Sequence, residues 1–236
     1  METIELENFS TTPEKDHADP RYLRSRELLR AAAFELALTK RPDDISIAEL
    51  TKRAGVSRGT FYAHASTPPE FIAHMLLSEI APILEPIGSV ITDHGSDYLR
   101  YVRNAYGDLL RSVVKRNDIY RNIFLTSPES TAVAHIAQYL RQIATRYVDS
   151  FAHYNAQPLT PLWRFMAIEQ QVSNFLVLIR SQLRTNQDVF SESTVNTFMS
   201  LVPPWQLARF NSDGRFDMRH VRAGRRDDKH IDGLEH

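Results

Sequence analysis

Residues 46–64 of this chain run SIAELTKRAGVSRGTFYAH. The stretch reads as two short helices crossing steeply over a tight turn, a helix-turn-helix. Ser46 is placed to cap a helix over Ile47–Arg53, because its hydroxyl can accept from a first-turn N–H that has no helical partner. Gly55 ends that helix, since glycine enters the left-handed conformation without steric cost. Ser57 caps the second helix, which reaches about His64 and aims its N-terminus outward. Ile47, Leu50 and Ala54 face inward from the first helix, and Val56 and Phe61 from the turn and the second, with Leu29, Ala33 and Leu36 beneath. The face left over holds Arg58, Gly59, Thr60, Tyr62 and His64. Those residue types suit a DNA major groove. Arg58 can bond guanine, the Thr60 methyl can meet a thymine methyl, and Tyr62 and His64 can bind phosphate. Gly59 lets the backbone approach closely. With Ser46 and Ser57 they form the expected DNA-binding set.

Outward from this motif the chain stays helical. On its N-terminal side Leu29, Ala32, Ala33, Leu36 and Ala37 recur at three- and four-residue spacing, which predicts a helix from Arg21 to about Lys40. Residues 1–20 set Glu2, Glu5, Glu7, Glu14, Asp16 and Asp19 against Lys15 alone and are expected to be a disordered acidic arm. On the C-terminal side Pro68-Pro69 opens a helix toward Ile80, proline being tolerated in a first turn. Pro82, Pro86, Gly88 and Gly95 then mark an internal break. Amphipathic segments follow at about 97–115, 119–126, 129–154, 160–184 and 191–202, punctuated by prolines. No stretch alternates convincingly as a strand. The expectation is an all-α chain: an arm at 1–20, a three-helix helix-turn-helix domain at 21–67, a connecting helix at 68–81, a larger helical domain at 82–210 and a flexible charged tail at 211–236.

The helix-1 run RSRELLRAAAFELA at 24–37, the AGVSRGTFYAH core at 54–64 and the helix after it resemble the DNA-binding domain of the Tet repressor (TetR) family. The resemblance covers Arg24 to Met75, about a fifth of the chain. Three positions depart from the family pattern: Ala65 stands where Phe is usual, Pro68 where a phosphate-touching Lys is usual, and Thr51 where a small Ala is usual. The resemblance implies an all-α homodimer whose C-terminal domain binds a small effector and dimerises. It also implies a ligand-responsive repressor on a palindromic operator. Its two recognition helices would sit about one DNA turn, roughly 34 Å, or a multiple of it apart. A ligand preferring another separation releases DNA through its differential affinity for the two states.

Charge distribution fits a groove reader. The whole chain has 28 Lys+Arg against 29 Asp+Glu, a formal −1. Residues 21–64 hold nine basic side chains against five acidic, leaving +4. Absence of cysteine removes disulfides, Cys-ligated metals and thiol chemistry, and fits a cytoplasmic protein. No apolar run approaches the roughly 18 residues of a membrane span, and the N-terminus lacks the apolar core of a signal peptide. No His/Asp/Glu set has zinc-ligand spacing, and there is no nucleophile elbow, P-loop or dinucleotide fingerprint. No enzyme, cofactor or membrane partner is expected. The expected partners are operator DNA, a small organic effector and a second copy of the chain.

Two further sets lie in the C-terminal helices. The segment 163–183 is apolar in nearly all directions, so its Phe175, Leu178 and Ile179, with Phe198 and Val202 of the next helix, are expected at a dimer interface. Tyr101, Phe124, Tyr147, Phe151 and Trp163 are the expected walls of an effector pocket, being amphipathic and rigid. The alternative function is an interaction protein of the same fold that no longer reads DNA.

Overall fold

Asp19 accepts a hydrogen bond from the Arg21 amide at 2.7 Å, and helix α1 (Pro20–Ala37) starts there. Proline at its first position has no N–H to leave unsatisfied. The computed structural model describes residues 19–90, 98–126, 130–153, 159–189, 191–203, 205–206, 209–210 and 216–217. Most of the expected arm and tail therefore lies outside the described residues. After α1 come α2 (Ile47–Ala54), α3 (Arg58–Tyr62), α4 (Pro68–Val90), α5 (Tyr98–Lys115), α6 (Asn117–Phe124), α7 (Thr131–His153), α8 (Pro161–Thr185) and α9 (Glu192–Leu201). The fold is all-α, as expected. Among the described residues the departure is a two-residue antiparallel ladder of β1 (Arg209–Phe210) with β2 (Phe216–Asp217).

One helix end differs from the expectation. α4 does not stop near Ile80 but runs through Pro82 and Pro86 to Val90. Each proline removes one i→i−4 hydrogen bond. The two are four residues apart and so share a face, and Pro82 is exposed there. The rest of the helix buries Phe71, Ile72, Leu76, Ile80 and Leu84, which outweighs the two missing bonds.

The chain forms two compact units. The first takes in residues up to Pro82 together with Ser112–Tyr139, and the second takes in Ile83–Arg111 and the chain from Leu140 onward. In the first unit Leu29, Ala33, Leu50, Phe61, Ile72, Leu76, Val113 and Ile123 are fully buried. Polar side chains close its helix ends over long sequence distances. The Asn122 amide donates to the carbonyls of Ala37 and Leu38, at 2.8 and 3.1 Å, satisfying the C-terminus of α1. Asp43 accepts from the Thr131 amide at 3.0 Å and from the Ser130 hydroxyl at 3.1 Å, capping α7. Glu79 of α4 accepts from Arg30 at 2.8 Å and from Arg116 at 2.7 and 3.2 Å. The Arg116 guanidinium also lies over the Phe34 ring at 4.5 Å.

The second unit is built around α8. Thr160 caps it by accepting from the Trp163 amide, and Asn186 ends it in the left-handed conformation at φ 49°. Ile168, Val172, Phe175 and Ile179 line its buried face, and Phe175 stacks on Tyr106 of α5. Among the described residues no helix is long and apolar enough to cross a membrane.

Candidate nucleic-acid interface

The turn is made by three short-range devices. The Ser46 hydroxyl accepts from the Glu49 amide at 3.1 Å and the Ser57 hydroxyl from the Thr60 amide at 3.0 Å. Gly55 sits at φ 68°, and a Cβ there would meet nothing within 4 Å, so the conformation and not space is what calls for glycine. Leu50, Ala54 and Phe61 are buried, while Ile47 and Val56 are half-buried. Thr51 also enters this core. Its hydroxyl donates back to the carbonyl of Ile47 at 2.8 Å, so its burial leaves no unmet polar group. The ion pairs Arg53–Glu35 and Lys40–Glu49 tie α2 to α1 and the chain beyond it.

Ser46, Ser57, Arg58 and Gly59 are exposed, Tyr62 is 60% exposed, and Thr60 is half-buried. The Thr60 hydroxyl is engaged with the Ser57 hydroxyl at 2.8 Å. A Cβ on Gly59 would lie 3.7 Å from the Ser57 hydroxyl oxygen, an ordinary contact. Nothing inside the protein therefore demands glycine at this exposed helical position.

His64 is a correction. It is not exposed but 8% accessible, with its ring 4.1 Å from that of Tyr22 and its Nε2 2.8 Å from the Ser25 hydroxyl. The side chain that sequence placed toward phosphate instead fastens the end of α3 to the first turns of α1. Pro68 is likewise inside. It is buried in the first turn of α4, where the Thr67 hydroxyl accepts from the Glu70 amide and the Glu70 carboxylate accepts from the Ser66 amide. Ala65 is buried as well.

The cations of residues 21–64 fall into two groups. Arg30, Lys40, Arg41 and Arg53 are spent on Glu79 or Glu27, Glu49, Asp44 and Glu35 respectively. Arg21, Arg24, Arg26, Lys52 and Arg58 make no ion pair among the described residues, and all but the half-buried Arg26 are exposed. Four of these five were absent from the site set read off the sequence. The excess positive charge of the segment signalled them, but only the pairing pattern singles them out. The Tyr22 and Ser25 contacts with His64 put the first turns of α1, which carry three of these cations, beside α3.

In the second unit the expected dimer residues divide. Phe175, Leu178, Ile179 and Val202 are not at a surface; all four are buried in the protomer. Leu178 and Val202, with the half-buried Phe198, back a groove of about 270 Å³ together with Tyr106, Asn174, Val177, Ser181 and Leu201. The apolar side chains α8 leaves exposed are Leu162, Phe165, Met166 and Val177, joined by Leu201 of α9. The expected pocket walls divide too. Phe124 belongs to the first unit and stacks on Tyr120. Tyr101 lies half-buried on α5. Tyr147, Phe151 and Trp163 do come together, but around Trp205, whose ring centroid lies 5.7, 5.3 and 5.4 Å from theirs. The four rings pack on one another. Among the described residues no group of His, Asp and Glu side chains could hold a metal ion.

No family model matches the sequence, and no curated protein matches it. Solved structures share its fold. One is NalD, the secondary repressor of the MexAB-OprM multidrug efflux pump in Pseudomonas aeruginosa, with a TM-score of 0.53 and 17% identity over 77% of this chain and 97% of that one. A structure of native NalD gives the same TM-score, with 18% identity over 76% of this chain and 96% of that one. The chain thus has an all-α fold carrying an N-terminal helix-turn-helix, and that fold is similar to the fold of NalD. At this identity the likeness is one of fold.

Proposed function

We propose that the protein is a sequence-specific DNA-binding regulator, a ligand-responsive repressor that binds a palindromic operator as a homodimer. The observation that carries this reading is the set of cations on and beside the helix-turn-helix that make no ion pair among the described residues. Four of nine cations in residues 21–64 are neutralised, and the other five share the reading module with exposed Gly59 and Tyr62. Arg58, at the first position of α3, reads a base, and Arg21, Arg24, Arg26 and Lys52 hold phosphates. The dimer forms through α8 and α9, supported by the exposed Leu162, Phe165, Met166, Val177 and Leu201. The effector is a small organic molecule that enters the second unit at the Tyr147, Phe151 and Trp163 rings. Trp205 closes that cluster, so a ligand there must move its ring.

Two measurements test the reading. A salt titration of duplex binding should give a log–log slope of several units, and selection from random sequences should return a two-fold symmetric site. Folded protein with no salt-dependent duplex binding moves the reading to an interaction protein of the same fold. The chain has two tryptophans, Trp163 and Trp205, in contact in the aromatic cluster. Intrinsic fluorescence therefore reports an effector there directly. A compound that releases DNA without changing that emission places the effector elsewhere.

A further inference from the structure

Two imidazoles meet where α4 comes against α7. The rings of His74 and His135 lie 6.2 Å apart, edge to face, and both residues are half-buried. Two further charged groups act on His74: Glu70, one turn earlier on α4, and Arg26 of α1. At neutral pH this set holds one positive and one negative charge, Arg26 against Glu70. With both imidazoles protonated, Arg26, His74 and His135 are all positive and Glu70 alone opposes them. Glu70 is also engaged elsewhere, its carboxylate accepting from the Ser66 amide at 2.8 Å. Burial pushes the His74 imidazole below its ordinary value of 6.5; Glu70 opposes this, and His135 and Arg26 add to it. The packed arrangement therefore favours the neutral ring. A state in which α4 and α7 part takes up the proton first. The contact is at full strength above about 6.5 and weakens as the pH falls below it. His74 also stands three residues after Phe71, so the two are neighbours on α4. Phe71 is buried, with its ring 6.1 Å from that of Phe61 in α3 and 6.4 Å from that of His64 just beyond α3. All of these residues belong to the first unit.

We propose that the His74–His135 pair is a proton sensor: acidification charges both rings, their repulsion moves α4 off α7, and Phe71 carries the displacement to α3. The consequence for DNA rests on the reading of α3 as the recognition helix. Its sign is distinctive. Added positive charge ordinarily strengthens duplex binding, whereas this device weakens binding in acid by displacing the helix that reads the groove. The two states are set apart by a difference in proton affinity, so the proton acts as an effector in its own right. It acts in the first unit, whereas the Tyr147, Phe151 and Trp163 cluster lies in the second.

The experiment uses the full chain and its variants His135→Gln and His74→Gln, each of which keeps a polar side chain but no titrating ring. Nuclear magnetic resonance follows the imidazole signals and the amides of Arg58–Tyr62 from about pH 7.5 to about pH 5. In the parent the α3 amides should shift with the midpoint of His74, and in His135→Gln that midpoint should rise. Affinity for a random-sequence duplex pool at fixed low salt should fall roughly three- to tenfold over this range in the parent, and should hold or rise in both variants. A His74 midpoint unmoved in His135→Gln, α3 amides that do not follow it, or the same acid loss of affinity in parent and variants overturns the inference and leaves the DNA reading intact. Amides of α3 that follow His74 in a protein binding no duplex at any pH have the opposite meaning: the sensor stands, and it is the DNA reading that fails.

Discussion

The Ser25 hydroxyl lies 2.8 Å from Nε2 of His64, a residue 39 positions further along the chain. With the Tyr22 ring at 4.1 Å on the same imidazole, this contact fixes α3 relative to α1. His64→Ala should therefore lower folding stability by roughly 1–3 kcal/mol, through a lost buried hydrogen bond and lost ring packing. Tyr62→Phe should leave stability within about 0.5 kcal/mol and weaken binding to all duplexes alike, since Tyr62 is exposed and assigned to phosphate. Denaturant unfolding beside duplex titration separates the two. A His64→Ala protein of unchanged stability and weakened binding would return that side chain to the DNA surface.

Arg58→Ala should cost about 1–3 kcal/mol of specific binding and relax base choice at one position per half-site. Lys52→Ala should weaken binding evenly and lower the salt slope by about one unit per half-site. Binding-site selection with each variant checks both. An unaltered sequence preference for Arg58→Ala removes it from base reading.

Gly59 tests whether something outside the protein demands glycine. A Cβ there has room within the molecule, and the residue is helical and exposed. Gly59→Ala should stabilise the fold by roughly 0.5–1 kcal/mol, because alanine loses less backbone entropy in a helix. Its duplex affinity should fall, because the added methyl stands where the backbone approaches the groove. A more stable variant that binds DNA as tightly as the parent sinks the close-approach assignment.

Val177→Asp and Leu201→Asp should dissociate the dimer without unfolding the protomer, because both side chains are exposed in it. Phe175→Asp and Ile179→Asp should unfold the chain, since an unpaired charge in the core is very costly. Sedimentation together with circular dichroism distinguishes these outcomes. An unmodified protein that sediments as a monomer at micromolar concentration removes the dimer and the palindromic operator with it.

Burial alone would raise the Glu79 carboxyl, but hydrogen bonds and charge from Arg116 and Arg30 prevail and hold it below its ordinary value of 4.5. As the pH falls the unfolded state takes up this proton first. The stabilisation is therefore full above about 4.5 and is lost as pH falls through the lower folded-state value. Glu79→Gln should flatten that part of the acid unfolding profile and cost about 1–2 kcal/mol at neutral pH. An acid profile superimposable on that of the parent excludes Glu79 as a contributor.

The sequence by itself determined the turn and where most helices lie, though not the end of α4, which continues through Pro82 and Pro86. Ser46, Gly55 and Ser57 act on backbone groups within a few residues, so their effect needs no other part of the chain. The segments read at about 97–115, 160–184 and 191–202 became α5, α8 and α9, because a 3.6-residue apolar period and flanking prolines are local signals. Tertiary structure alone decided which side His64 faces. α3 ends at Tyr62, so helical periodicity does not extend to His64 two residues on, and Tyr22 and Ser25 draw the imidazole inward. It also decided that Phe175 and Ile179 are core while Val177 is surface. A helix apolar on every side presents no pattern from which to choose, and only the neighbours packed on α8 choose. The same holds for the cations. Arg30 is neutralised by a carboxylate 49 residues away, whereas Arg58 meets none among the described residues, so which cations keep their charge is set by which groups folding brings together.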